Sequence, residues 1–150
     1  MDDAELIQKV RQEHSRLRDI KAALLAALDR SPEGDARKWL DELRSSFEHF
    51  RAHLVHRVAL EEIGGFLNVV LQRRPTLSSQ IEHLRESHSE MIEMAGETMA
   101  ELRKLSSDDP EAVNQANLLV KMALSEVKYH EEAERLLVSF VFAQDTGAGD

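Results

Sequence analysis

The stretch Val127-Lys128-Tyr129-His130-Glu131-Glu132-Ala133-Glu134-Arg135-Leu136-Leu137 decides the fold. Apolar residues leading into it recur at Val113, Ala116, Val120, Ala123 and Val127 and resume at Leu137 and Val141. Steps alternating between three and four define the buried seam of a helix in a bundle. The same steps land on positions 130 and 134, which hold His130 and Glu134. Burying an unpaired polar group costs roughly 2–7 kcal/mol, and a charge more. Partners on other helices must therefore face this pair.

Working outward, three more segments carry the same period. The last one opens at Asp109-Pro110-Glu111, an Asp cap with Pro at the first helical position, and ends in a frayed tail, Asp145 to Asp150. Before it, a segment follows Arg73-Arg74-Pro75-Thr76, with Ser78 or Ser79 as cap and Glu82 in its first turn. Its seam is Ile81, Leu84, His88, Met91, Ala95, Thr98 or Met99, Leu102 and Leu105. A segment from Asp35 to about Arg73 has the seam Leu40, Leu43, Phe47, Phe50, Leu54, Arg57 and Glu61. Unbroken, it would span roughly 60 Å, so Gly64-Gly65 is expected to bend or break it. The first segment, Asp3 to Arg30, has Leu6, Val10, His14, Leu17, Ile20 or Lys21, Leu24 and Leu28. It stops at the turn Ser31-Pro32-Glu33-Gly34. Four helices joined by short turns predict an all-α, antiparallel up-down-up-down four-helix bundle forming one domain over 1–150.

Composition narrows the function. The net charge of −9 argues against nucleic acid or an anionic membrane as partner. The absence of cysteine removes disulfides, thiolate zinc sites and thiol nucleophiles. No apolar run approaches the ~20 residues of a membrane span, and the acidic start Met1-Asp2-Asp3-Ala4-Glu5 is unlike a signal peptide. A cytoplasmic protein is expected.

Each segment thus carries a polar residue where its seam calls for an apolar one: His14, Arg57 with Glu61, His88, and His130 with Glu134. Reflecting positions about the turns puts Glu61, His88 and His130 in one layer. His14 reflects only to Phe50–His53, one to two turns short. Imidazoles and carboxylates converging inside a four-helix bundle are the donor set of a non-haem di-iron or di-manganese site.

These residues resemble the hemerythrin-like (HHE cation-binding) domains. The resemblance lies in Glu13-His14 with Leu17, in His53 to Leu67 and in Pro75-Thr76-Leu77. It continues in Leu84-Arg85-Glu86-Ser87-His88 and in His130-Glu131-x-x-Glu134 with Leu136-Leu137. It implies a bundle holding a bridged di-iron centre that binds or senses O2, NO or redox state, with no catalytic residue assigned. It implies His14 as terminal ligand of one iron, His88 and His130 of the other, and Glu61 and Glu134 as bridges. Manganese and zinc stay compatible, and a protein partner stays unknown.

Two positions depart from the family pattern. Arg57 stands four residues before Glu61, and Leu84 four before His88, where the family places imidazoles. His53, one turn before Arg57, is the candidate replacement ligand. Arg57 opens alternatives. One is a single metal per chain. Another is a metal-free interaction module in which the guanidinium balances Glu61 and Glu134, or pairs with Glu61 alone at i, i+4; a further alternative has Arg57 pointing outward along its long stem. A di-iron oxidase or peroxidase is a third reading, although the ferritin-like version expects Glu from every helix. Glu131 and Glu132 read as a solvated face, His49 and His83 as flank or surface residues, and Met91 and Met99 as core.

Overall fold

The computed structural model describes residues 2–30, 32 and 34–148, with side chains up to 137 and at 139. The described chain is helical, without strands. Its elements are α1 (Asp3–Asp29), α2 (Ala36–Glu62), α3 (Phe66–Arg73), a 3-10 turn (Pro75–Leu77), α4 (Ser78–Lys104) and α5 (Ala112–Ala148). Among the described residues no helix is long and apolar enough to cross a membrane.

The helix starts follow from side chains that satisfy free backbone N–H groups. Asp2 accepts from Glu5 N at the head of α1, and Asp35 accepts from Arg37 N and Lys38 N at the head of α2. Three expectations fail. The 3-10 turn beginning at Pro75 winds straight into α4, so neither Ser78 nor Ser79 caps it, and Glu82 lies beyond the first turn, bonded to Arg85. Asp109 accepts from Glu111 N in a turn that precedes α5, so the helix starts at Ala112 rather than Pro110. At the far end α5 continues through Asp145-Thr146-Gly147 to Ala148, where a frayed tail was expected; Gly149 and Asp150 lie outside the described residues.

The long second segment breaks at its glycine pair. Ile63 N and Gly64 N both donate to Ala59 O, closing α2, and Gly65 takes φ 93°, the left-handed conformation that glycine adopts freely. A Cβ on Gly64 would sit 2.3 Å from Leu60 O, so the close approach also requires glycine. The short α3 then turns Phe66, Leu67, Val69 and Val70 inward.

Packing sorts the seams into two apolar clusters. One joins Leu6 and Val10 of α1 to Phe66, Leu67, Val69 and Val70 of α3 and to Ile81 and Leu84 of α4, with Leu137 packed against it. The other includes Leu17, Leu24, Phe47, Leu54, Met91 and Val127. Along every long helix the chain passes from one cluster to the other through a polar position: His14, Arg57 and Glu61, His88, and Glu134. A polar layer therefore separates two apolar blocks. Leu84 packs in the first block, which explains why an apolar residue suits that position. The Val141 side chain lies outside those described.

Candidate metal centre

Four helices each deliver a donor to this layer. His14 of α1 donates from Nε2 to Glu61 Oε1 of α2 at 2.6 Å, and the same nitrogen lies 4.0 Å from Glu134 Oε1 of α5. His88 of α4 puts Nε2 at 3.1 Å from Glu61 Oε2 and 3.5 Å from Glu134 Oε2. The His14, Glu61 and Glu134 ligand atoms all lie within 4.8 Å of one another, the spacing of a site able to hold a metal ion. The side chains of Glu61, His88 and Glu134 are 0% exposed, whereas that of His14 is 25% exposed.

The reflected register put His14 one to two turns short of Glu61. Side chains on helices lean toward the N-terminus. His14 and Glu61 therefore need not stand at one depth for their side chains to touch. Glu13, with no such reach, meets His53 and His56 instead.

Arg57 fills the other flank of the layer and is fully buried. Its Nη1 donates to Glu131 Oε1 at 2.6 Å, Nη2 lies 3.6 Å from Glu134 Oε2, and Nε lies 3.8 Å from Glu61 Oε1. One guanidinium faces three carboxylates, so the outward-pointing alternative is excluded. Glu131, read as solvated from sequence, is a member of this network. The missed signal is its position on α5, four residues after Val127 and three before Glu134, on the flank of the seam. Glu132 is exposed as expected.

Two expected ligands sit elsewhere. His130 is hydrogen-bonded through Nδ1 to Ser87 Oγ of α4. Its ring turns toward the α4–α5 groove beside Tyr129 and His83. His53 does not replace the missing ligand at position 57. Its Nδ1 lies 3.8 Å from Glu13 Oε2, on the α1 side of α2. His49 and His83 are exposed, and Met91 and Met99 are core.

The charges explain what the layer needs. Burial disfavours the Glu134 carboxylate and the neighbouring Glu61 disfavours it further; His88 and Arg57 only partly compensate, so it titrates at about 7. Burial also opposes the Glu61 anion. Its contacts with Glu134, His14 and His88 and the Arg57 charge outweigh that and hold it well below the usual carboxylate range. Burial pulls His88 down, but Glu134 and Glu61 lift it to about 9. Burial likewise works against the Arg57 cation, and Glu134, Glu61 and Glu131 more than offset it, raising its pKa. Protons on His88 and Glu134 thus do the neutralising in the absence of another cation.

The residues fit a metal ion by a separate criterion. Buried polar atoms are nearly always hydrogen-bonded. Here Glu61 Oε2, His88 Nε2 and both oxygens of Glu134 make no well-formed hydrogen bond, although His88 Nε2 lies 3.1 Å from Glu61 Oε2, and Arg57 Nε and Nη2 beside them share that condition. Glu62 Oε1 lies 3.7 Å from His88 Nδ1, on the ring edge away from the layer. A carboxylate behind a ligating imidazole is the usual second partner that orients the ring.

A helical protein with two imidazoles and two carboxylates sealed between apolar blocks belongs to the class of helical proteins equipped for cation binding. The sequence profile of the hemerythrin HHE cation-binding domain matches residues 5–139, and the chain belongs to that family. No individual curated protein and no solved structure matches it significantly.

Proposed function

We propose that this chain is a non-haem metal-binding protein of hemerythrin-like type, a single antiparallel up-down-up-down four-helix domain that holds iron between His14, Glu61, His88 and Glu134. The observation that carries the reading is the convergence of His14, Glu61, His88 and Glu134, with His88 Nε2, Glu61 Oε2 and both Glu134 oxygens lacking well-formed hydrogen bonds. Two neutral nitrogen donors and two hard oxygen donors suit iron, and also manganese or zinc. Iron held there supplies a redox couple and a coordination position for O2 or NO, so the role proposed is binding or sensing of such a ligand or of redox state.

The residues around the ion have separable tasks. Glu61 and Glu134 supply the negative charge. Glu62 lies 3.7 Å behind the His88 ring as a charge partner, and the Leu6 and Leu17 blocks exclude water. Arg57 contributes the positive charge that a second ion would otherwise bring beside the same carboxylates, so the reading is for one ion per chain. The same arginine favours a second reading, a metal-free interaction module whose carboxylates are balanced by Arg57 and by protons on His88 and Glu134.

Anaerobic loading with Fe(II), desalting and elemental analysis separate the two. One iron per chain, with a visible spectrum that changes on exposure to air, is expected. No retained iron would leave the metal-free module. Two irons per chain would mean that Arg57 yields its place.

A further inference from the structure

Helix α5 buries one face and leaves the opposite one bare. Leu118, Met122, Tyr129 and Leu136 are 60%, 61%, 74% and 65% exposed. At about 100° per residue they fall within roughly 40° of one another, a straight apolar stripe along the helix. Apolar residues scattered singly on a surface need no explanation, but a contiguous stripe marks an interaction surface. The two margins of this stripe differ in charge. One is the groove toward α1, where Arg18, Lys21, Lys128 and Arg135 stand against Glu131 and Glu132. The other is the groove toward α4, where Glu86 and Glu90 stand without a lysine or arginine. The first margin holds an excess of two cations and the second an excess of two anions. Among the described residues Lys121, Glu126, Lys128 and Arg135 form no ion pair within their own chain, so their charges are open to a partner.

We infer that a second copy of this chain covers the stripe, with the two α5 helices side by side and running in the same direction. A closed two-fold dimer is self-complementary, one patch meeting itself. A two-fold axis perpendicular to α5 would lay the helices antiparallel and set each basic margin on the other copy's basic margin. An axis parallel to α5 keeps the stripe on itself and sets each basic margin on the other copy's acidic one. The register of the helix agrees with the second arrangement. With Met122, Tyr129 and Leu136 at heptad position a and Leu118 at d, Lys121 stands at g and Glu126 at e. Those positions form the salt bridges across a parallel two-stranded coiled coil. Lys121 of each copy then meets Glu126 of the other. Ser125 and Glu132 hold the d positions between Leu118 and Leu136, and Glu132 has Lys128 four residues before it and Arg135 three after to offset its charge. These polar seam positions make the dimer reversible, since permanent interfaces are more apolar.

The test is sedimentation equilibrium of the full chain across the micromolar range at low salt, where a monomer–dimer equilibrium is expected. Met122→Glu with Tyr129→Glu should abolish the dimer and leave the helical content unchanged. The milder pair Met122→Ser with Tyr129→Ser should give the same direction and covers a failure of the first pair to fold. Lys121→Glu should weaken the dimer about tenfold by setting like charges together twice per dimer, and adding Glu126→Lys to the same chain should restore it. Direction is read by disulfide trapping, because the chain has no cysteine of its own. Leu118→Cys and Leu136→Cys should each cross-link with itself, since identical positions face one another only in the parallel pair and a disulfide needs close Cα atoms. Failure of either to link with itself, whether or not a mixture of the two links, overturns the inference. A chain that stays monomeric across the range overturns it, as does a dimer that ignores the changes at Met122 and Tyr129 or at Lys121.

Discussion

Arg57 Nη1 donates to Glu131 Oε1 across 2.6 Å, tying α2 to α5 over 74 residues of chain. The bond also fixes where the rest of the guanidinium lies, beside Glu134 and Glu61. Removing the cation leaves two buried carboxylates without their fixed counter-charge. Arg57→Met is expected to destabilise the metal-free protein by about 3–5 kcal/mol, the cost of stranding a buried charge. Added iron should recover much of that loss. Urea unfolding with and without metal measures both, and an unchanged midpoint in the metal-free variant would remove Arg57 from the charge balance.

The stability of the metal-free protein should depend on pH in a direction set by His88 and Glu134. His88 titrates at about 9 when folded, above the ordinary imidazole range, so its contribution is full below that range and disappears as pH rises through 9. Glu134 at about 7, above the ordinary carboxylate range, binds its proton more tightly in the folded state and also costs stability as pH rises through 7. Glu61, held low, acts oppositely, its contribution being lost only as pH falls below the ordinary carboxylate range. The melting temperature in chelator should therefore fall from about pH 5 to 9. Metal affinity should rise over the same interval, because the ion displaces those protons. A flat or rising melting curve would contradict the assignment.

Glu134→Gln separates the two roles of that carboxylate. In the metal-free protein it removes a like charge beside Glu61 and should leave stability equal or higher at pH 8, within about 1 kcal/mol. It also removes an anionic donor, so iron should no longer survive desalting. Elemental analysis and thermal melting on one preparation give both readouts. Iron retained at the wild-type level would place the ion away from Glu134.

His88 and His130 are predicted to behave differently. His88→Ala should abolish iron retention, since its Nε2 faces both central carboxylates. His130→Ala should leave iron content intact and cost about 0.5–1.5 kcal/mol, the value of its bond to Ser87. The family resemblance alone makes both histidines ligands. Loss of iron from His130→Ala would return His130 to the site.

Much of this was legible because burial on a helix follows a simple period. Stepping three and four from Leu6, Leu40, Ile81 and Ala116 lands on residues that are almost all buried, including Arg57, Glu61, His88 and Glu134. The break at Gly64-Gly65 was also readable, since glycine inside a long periodic run is costly. Periodicity gives the face of a helix but not the rotation of a side chain. It therefore could not tell that His130 turns to Ser87, or that Glu131 on the seam's flank swings in to Arg57. Nor could it show that His53, which shares a face with Arg57, has its Nδ1 3.8 Å from Glu13 Oε2 of α1. Capping misled at Ser78 because a preceding 3-10 turn made a cap unnecessary.

The short helix after the glycine break gives the protein a stopper. Phe66, Leu67, Val69 and Val70 close one end of the interior beneath the polar layer, and the Phe47–Leu54 block closes the other. Between the two blocks His14 alone of the four donors is partly exposed. The layer therefore meets solvent at the flank of the helices and not at either end, so the side chains around His14 decide how much water the donors feel.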